Sequence, residues 1–295
     1  MKKKKDLRDV PFNIVNGLFM LLLTFICVYP FWYIFIYSIS DPNQAAQGIV
    51  LLPKGITLSN YKQVLSLDGI LPAVGVSIAR TLIGTFVSVM CVTIVGYLFT
   101  KPMYGRRFFY RMLVITMYMN GGVIPTYVVY MKYGLTNSFW VYILPLALSA
   151  YNVILTKTYM ENLPPALEES AKIDGAGPLQ ILFKIVMPLS KPIIATIAVF
   201  DSVMQWNSWT DNYLYNVDEK LNTLQVILYN YLNETIRISQ MIEQSSDMAV
   251  MQQNPMTPMS IRMTITMIAV IPVLCVYPFM QKYFVKGIMV GAVKG

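Results

Sequence analysis

The sequence predicts an all-α polytopic membrane protein with six transmembrane helices and both termini cytoplasmic. Three observations lead there. Apolar residues make up 56% of the 295 and charged residues only 13%, where an ordinary soluble domain has about half and about a quarter. Six apolar runs approach the roughly 20 residues that a spanning helix needs. Lysine and arginine concentrate in alternate connecting segments, as cytoplasmic loops require.

The runs are read at about 14–39, 73–99, 108–130, 139–159, 192–209 and 261–280. The start, MKKKKDLRDV, resembles a signal peptide. Its apolar stretch is longer than a usual signal core and no small-residue cleavage site follows, so an uncleaved first helix is expected. Asn120, Gly121, Gly122 and Pro125 interrupt the third run, and unwound backbone at depth is tolerated only where buried or lining a cavity. With the N-terminus inside, the inner segments hold sixteen Lys and Arg and the outer ones six. That excess sits where anionic membrane lipid lies, so the net charge of +8 needs no nucleic acid. Two outer segments are long: 41–72, with Pro42, Pro53 and Gly55, reads as an irregular loop, and 212–260 holds most of the outer acids. Within the latter, Leu221 to Ile238 has the apolar spacing of a surface helix.

Composition also excludes chemistries. Without histidine there is no Ser-His-Asp or Cys-His constellation and no His-based metal site. No Gly-Lys-Ser/Thr occurs, so there is no P-loop. Cys27, Cys91 and Cys275 lie far apart in apolar runs and read as small core hydrophobes. The Met-rich and Tyr-rich stretches read as packing and interface belts.

The segment 161–191 is the most informative. Pro164 and Pro165 suit the start of a helix, because proline is tolerated in a first turn. Ala166 to Ile173 follows as a short helix, with Glu168 and Glu169 where the dipole favours negative charge. Asp174-Gly175 ends it, since glycine accepts the left-handed position after a helix. Gln180 to Met187 is expected to form a second stretch before Pro188 and Pro192.

Glu169-Ser170-Ala171, Gly175, Ile185 and Met187-Pro188 keep the spacing of the EAA loop. The segment resembles that loop of bacterial ABC importer permeases, with serine for the middle alanine and methionine for leucine. Ala171 to Ala176, Trp206-Asn207, Thr223-Leu224 and the tail Gln281 to Gly295 look like the maltose-type carbohydrate branch. Asn120 to Tyr127 looks like a subgroup of low-GC Gram-positive bacteria for complex or acidic oligosaccharides.

The resemblance implies the transmembrane fold of an ABC type I importer in the bacterial cytoplasmic membrane. It implies a second homologous permease subunit, two cytoplasmic ATPase subunits that carry ATP and Mg, and an extracellular solute-binding lipoprotein. This chain itself would hold no cofactor and hydrolyse nothing. Glu168, Glu169, Ser170, Ala171, Asp174, Gly175 and Ala176 would form the coupling helix, and Lys294 and Gly295 would reach the ATPase interface. The long outer segments are the expected docking surface for the binding protein.

Candidates for the sugar pathway come from polar residues inside apolar runs, which are costly and default to function. Asp201, Gln205, Ser208 and Asn212 recur at steps of four, three and four, on one helical face. Trp206, Asn207 and Trp209 lie beside them, and Asn120 and Asn152 are further candidates. The alternative is interhelical polar packing. Arg80, with Ser77, Thr81, Gly84 and Ser88 on its face, is expected to snorkel to the outer interface; contact with an acidic sugar is the alternative. Rival functions are an importer of another solute, an ion-coupled secondary transporter built on Asp201 and Arg80, and an intramembrane enzyme, which lacks paired carboxylates.

Overall fold

The computed structural model describes residues 10–48, 51–119, 121–233 and 258–292. Their regular structure is entirely helical. Two compact units emerge, Met1–Leu67 with Tyr231–Val270, and Asp68–Asn230 with Ile271–Gly295.

In the first unit, α1 (Val10–Ser38) is long and apolar, and its side chains from Phe12 to Trp32 are largely exposed. A surface of that kind is stable only against lipid or another protein. Its end is tied down where Asn60 Nδ2 donates to the carbonyls of Ser38 (2.9 Å) and Ser40 (2.8 Å). The segment 41–72 is not an irregular loop throughout. It contains α2 (Pro42–Ala46), capped by Asp41, whose carboxylate accepts from the amides of Asn43 and Gln44. It also contains α3 (Ser59–Leu65).

The second unit is organised around α4 (Ile70–Thr100). Ala73, Ser77, Arg80, Gly84, Ser88 and Val92 form its buried stripe, at the three- and four-residue steps of one helical face. Then come α5 (Arg106–Thr116) and α6 (Val123–Lys132). A 3-10 turn, Phe139–Tyr142, leads to α7 (Ala150–Glu161). The short α8 (Ala166–Ile173) precedes α9 (Pro178–Leu189), which carries a π turn at Leu182–Val186. α9 meets α10 (Lys191–Asn207) at 81°. α11 (Thr210–Tyr215) follows, and residues 224–233 are helical as α12. The last helix, α13 (Pro258–Ala292), runs from the first unit into the second.

Val92, Phe99, Val153 and Ile197 form the core where α4, α7 and α10 meet. Close approach depends on two glycines. A Cβ on Gly84 would stand 2.5 Å from Gln205 Nε2, and one on Gly96 would stand 3.0 Å from Thr156 Cγ2.

Among the described residues, three helices are long and apolar enough to cross a membrane: Pro11–Ser38, Ile70–Thr100 and Met259–Val276. Counting the bent α9–α10 pair as one span raises the number to four. The run at 108–130 is split at Gly122, which adopts φ 79°. The run at 139–159 is not one helix either. Pro145 lacks an amide and disfavours helix in the residue before it, and the Tyr142 carbonyl is taken by Gln205 Nε2 at 3.0 Å. Cys27 and Cys275 are exposed on apolar surfaces and Cys91 is half-buried, so the expectation that all three fill a core fails. Asn120, Lys294, Gly295 and most of 212–260 beyond residue 233 lie outside the described residues.

Candidate functional site

Two groups of residues carry chemistry, near opposite ends of α4. Arg80 and Lys101 are 21 residues apart in sequence, about 30 Å along a helix, the thickness of a bilayer core.

At the Lys101 end sits α8. Its stop is a full Schellman motif. Gly175 takes φ 81°, its amide donates to the Lys172 carbonyl (3.1 Å), and the Ala176 amide reaches back to the Ala171 carbonyl (2.9 Å). One side of α8 is anchored. Ala171 is buried in a cluster with Tyr97, Met160, Ile181, Leu182 and Val186, with Ala176 packed against it. Glu168 pairs with Lys101, whose ammonium also lies 4.4 Å from the Tyr97 ring centroid. That pair is partly exposed and contributes under about 1 kcal/mol; Ala171 is the stronger tie. The other side is open: Glu169, Ser170, Lys172, Asp174 and Gly175 are exposed, and Ile173 is 86% exposed. A short rigid helix fixed to a long one, with an acidic and apolar tip, can transmit a push from a docked protein.

Near the other end, Arg80 is completely buried, which overturns the expectation that it snorkels. Nη2 pairs with Asp211 Oδ2 at 2.5 Å. Nε and Nη2 donate to Gln205 Oε1 at 3.2 and 3.1 Å, and Nη1 donates to the Ser208 carbonyl at 3.3 Å. The guanidinium also lies 4.4 Å from the Tyr142 ring centroid. A buried cation without such partners would cost several kcal/mol, so this set explains why arginine can sit there. The Ser208 carbonyl bond accompanies a helix stop: Ser208 is extended, with ψ 129°. The four-residue polar stripe is therefore not one helical face. Asp201 and Gln205 stay on α10, Ser208 leaves it, and Asn212 is buried on α11. Asn212 Oδ1 accepts the Thr223 amide at 2.8 Å, and Ser77 Oγ accepts the Leu224 amide at 2.9 Å, so α12 begins against the same network. Past α10, burial first and the Asp211 carboxylate second raise the Tyr215 hydroxyl above its ordinary pKa, keeping it protonated.

Deeper along α4, Asp201 accepts from Ser88 Oγ at 2.7 Å and from Asn152 Nδ2 at 2.9 Å. Each carboxylate oxygen thus has one donor, and the contact joins α4, α7 and α10. Among the expected pathway residues, Arg80 bonds Gln205 and Asn152 bonds Asp201, in two separate sets of internal bonds. Trp206 is buried, whereas Asn207 is exposed and Ser208 and Trp209 are half-exposed. Trp209 stacks on Tyr229 at 4.1 Å between ring centroids, with Tyr213 edge-on to Tyr229 at 5.4 Å. A cavity of about 190 Å³ lies beside Trp206, but Ile78, Leu82, Val203, Val273 and Val276 line it, which suits an apolar occupant rather than a sugar.

Asp211, Lys101 and Tyr142 were missed by the sequence reading. A cation inside an apolar run demands a nearby anion, and Asp211, just beyond the fifth run, is the acid that this rule could have found. Nothing in the spacing marks Lys101 as the partner of Glu168.

Long apolar helices that enclose a buried charge network, with a capped, half-exposed helix at the far end, are those of an integral membrane protein. The chain belongs to the binding-protein-dependent transport system inner membrane component family, whose model matches residues 9–290. It is 39% identical over 280 residues to the polygalacturonan/rhamnogalacturonan transport system permease protein YtcP of Bacillus subtilis (strain 168), covering 94% of this chain and 96% of that one. It is 29% identical over 291 residues to the sn-glycerol-3-phosphate transport system permease protein UgpE of Brucella abortus (strain 2308), covering 94% and 96%. The crystal structure of a bacterial ABC transporter involved in the import of the acidic polysaccharide alginate contains a chain 30% identical to this one. The two superpose with a TM-score of 0.85 over 96% of this chain and all of that one.

Proposed function

We propose that this chain is the permease subunit of an ATP-driven, binding-protein-dependent importer, and that its cargo is an oligosaccharide. The chain crosses the cytoplasmic membrane six times with both termini inside, and it alternates access to the two sides. A second permease subunit completes the pathway. Two ATPase subunits hold ATP and Mg and do all the hydrolysis; this chain is not an enzyme. A lipoprotein outside delivers the sugar to the long outer segments.

One observation carries the reading. In a chain of this family, α8 is fixed to α4 through Ala171 and Glu168 while Glu169, Ser170, Asp174 and Gly175 face outward. Closure of the ATPase pair pushes α8, and α4 carries the push towards Arg80. The proposed coupling set is Glu168, Glu169, Ser170, Ala171, Asp174, Gly175 and Ala176, with Lys294 and Gly295 reaching the ATPase interface. Asp201, Gln205, Arg80 and Asn152 hold the moving helices in register, which their internal bonds favour. Asn120, Asn207, Ser208, Trp206 and Trp209 are the residues proposed to border the pathway. The polygalacturonan/rhamnogalacturonan and alginate named for two similar proteins support an acidic sugar; the sn-glycerol-3-phosphate named for others supports a small anionic polyol as the second reading.

The test is ATP hydrolysis by the reconstituted importer with its binding protein, against neutral oligosaccharides, uronic-acid oligosaccharides and glycerol 3-phosphate. Sugar-loaded binding protein stimulates the wild type, and Glu169→Lys removes the stimulation while the chain still inserts. Stimulation by glycerol 3-phosphate alone overturns the sugar; movement of solute without any ATPase overturns the importer.

A further inference from the structure

Between Asp68 and Glu161 the chain has no acidic residue, yet it carries seven basic ones. Three of them find carboxylates beyond the stretch: Arg80 pairs with Asp211, Lys101 with Glu168 and Lys157 with Glu161. Arg106, Arg107 and Arg111 have no ion pair among the described residues. All three lie on α5, which begins at Arg106 after a left-handed turn at Gly105, φ 74°. Arg107 and Arg111 are four residues apart, so they share a face and repel each other unless an anion lies between them.

The surroundings define that anion. One face of α5 is already used: Tyr110 and Leu113 pack on the α4–α7–α10 core, and Tyr110 meets Phe99 with ring centroids 5.5 Å apart. The other face leaves Phe108, Phe109, Met112 and Ile115 exposed, with Tyr104 fully exposed ahead of them. An open cleft of about 690 Å³ runs along Pro102 to Phe108, between the arginines and the first of these rings. Arg106 and Arg107 stand at the start of α5, beside the Lys101 end of α4, Arg111 lies one turn after Arg107, and exposed apolar side chains continue past it to Ile115. A phospholipid presents its charge and its chains in that order. An acidic protein would satisfy the arginines but leave Phe109, Met112 and Ile115 bare.

We propose that α5 and the turn before it bind an anionic phospholipid, with Arg106, Arg107 and Arg111 on the phosphate and Phe108, Phe109 and Met112 along an acyl chain. The site goes beyond the import reading and stands without it.

The test is native mass spectrometry of the full-length chain, copurified with its partner subunits and titrated with phosphatidylglycerol or phosphatidylcholine of matched chains. Wild type retains phosphatidylglycerol in preference. A basic residue near an anionic surface is worth about fivefold in binding, so Arg106→Gln with Arg107→Gln lowers retention roughly thirtyfold, towards the phosphatidylcholine level. Arg106→Lys with Arg107→Lys keeps most of the preference and controls for folding, and Lys132→Gln leaves it unchanged. Equal retention of the two lipids by wild type overturns the proposal. So does a Gln pair that loses the ATPase subunits while keeping its phosphatidylglycerol, which would assign the arginines to a protein partner.

Discussion

Replacing Asp211 by asparagine tests the charge at the centre of the Arg80 network while keeping its shape. The Arg80 side chain is 1% exposed and that of Asp211 15%. Breaking one partner of a buried pair costs about 3–5 kcal/mol, because the remaining charge stays buried. Here Gln205 Oε1 and the Ser208 carbonyl remain as acceptors and the Asp211 side chain is not fully buried, so the lower end, about 3 kcal/mol, is expected. In domains of comparable size each kcal/mol moves the unfolding midpoint by about 2–4 °C, which gives a fall of about 6–12 °C. The assay is thermal unfolding of the full-length protein in detergent, followed by tryptophan fluorescence; Trp206 and Trp209 flank the network. A second arm replaces both partners, Arg80→Met with Asp211→Leu. Removing both charges together is nearly neutral in other buried pairs, so the double variant recovers most of the loss. A shift under about 2 °C for Asp211→Asn, or a double variant no better than the single, refutes the claim that Arg80 is held by its anion.

Three further outcomes follow from the packing. Gly84→Val displaces Gln205, whose side chain would meet the new Cβ at 2.5 Å; two Arg80 bonds and the Tyr142 bond go with it, lowering stability by about 2–4 kcal/mol in the same melt. Gly175→Ala meets no atom within 4 Å, so its cost is the left-handed backbone at φ 81°, about 1–2 kcal/mol. It should weaken ATPase copurification more than it changes the melting of the chain, and Gly175→Asn should retain more binding. Asp201→Ala strands the Ser88 and Asn152 donors and costs about 1–3 kcal/mol for each group left unpaired. Sugar selectivity in the hydrolysis assay should be unchanged, since both carboxylate oxygens face neighbouring helices; altered selectivity would instead assign Asp201 to the pathway.

The legible parts of the fold were those governed by local chemistry. The apolar runs around α1 and α4 translate directly into helices, because a chain in lipid must satisfy its own backbone. Pro164-Pro165 and Asp174-Gly175 delimited α8 to the residue at its C-terminus, since only glycine accepts the left-handed step without strain. The run at 139–159 misled because apolar composition does not record that the Tyr142 carbonyl is claimed by Gln205 from another helix. The stripe from Asp201 to Asn212 misled in the same way: helical spacing assumes a continuous helix, and Ser208 leaves it.

What the sequence determined by itself was the membrane class, the family and the bounds and cap of the short helix α8. Each follows from composition or from residues within a few positions of one another. Only the tertiary structure decided what Arg80, Asp201 and Glu168 do. Their partners lie 131, 113 and 67 residues away respectively, at Asp211, Ser88 and Lys101. A charge in an apolar run announces that a partner must exist; which side chain supplies it depends on where distant helices cross, and at Gly84 that crossing is set by the absence of a single Cβ.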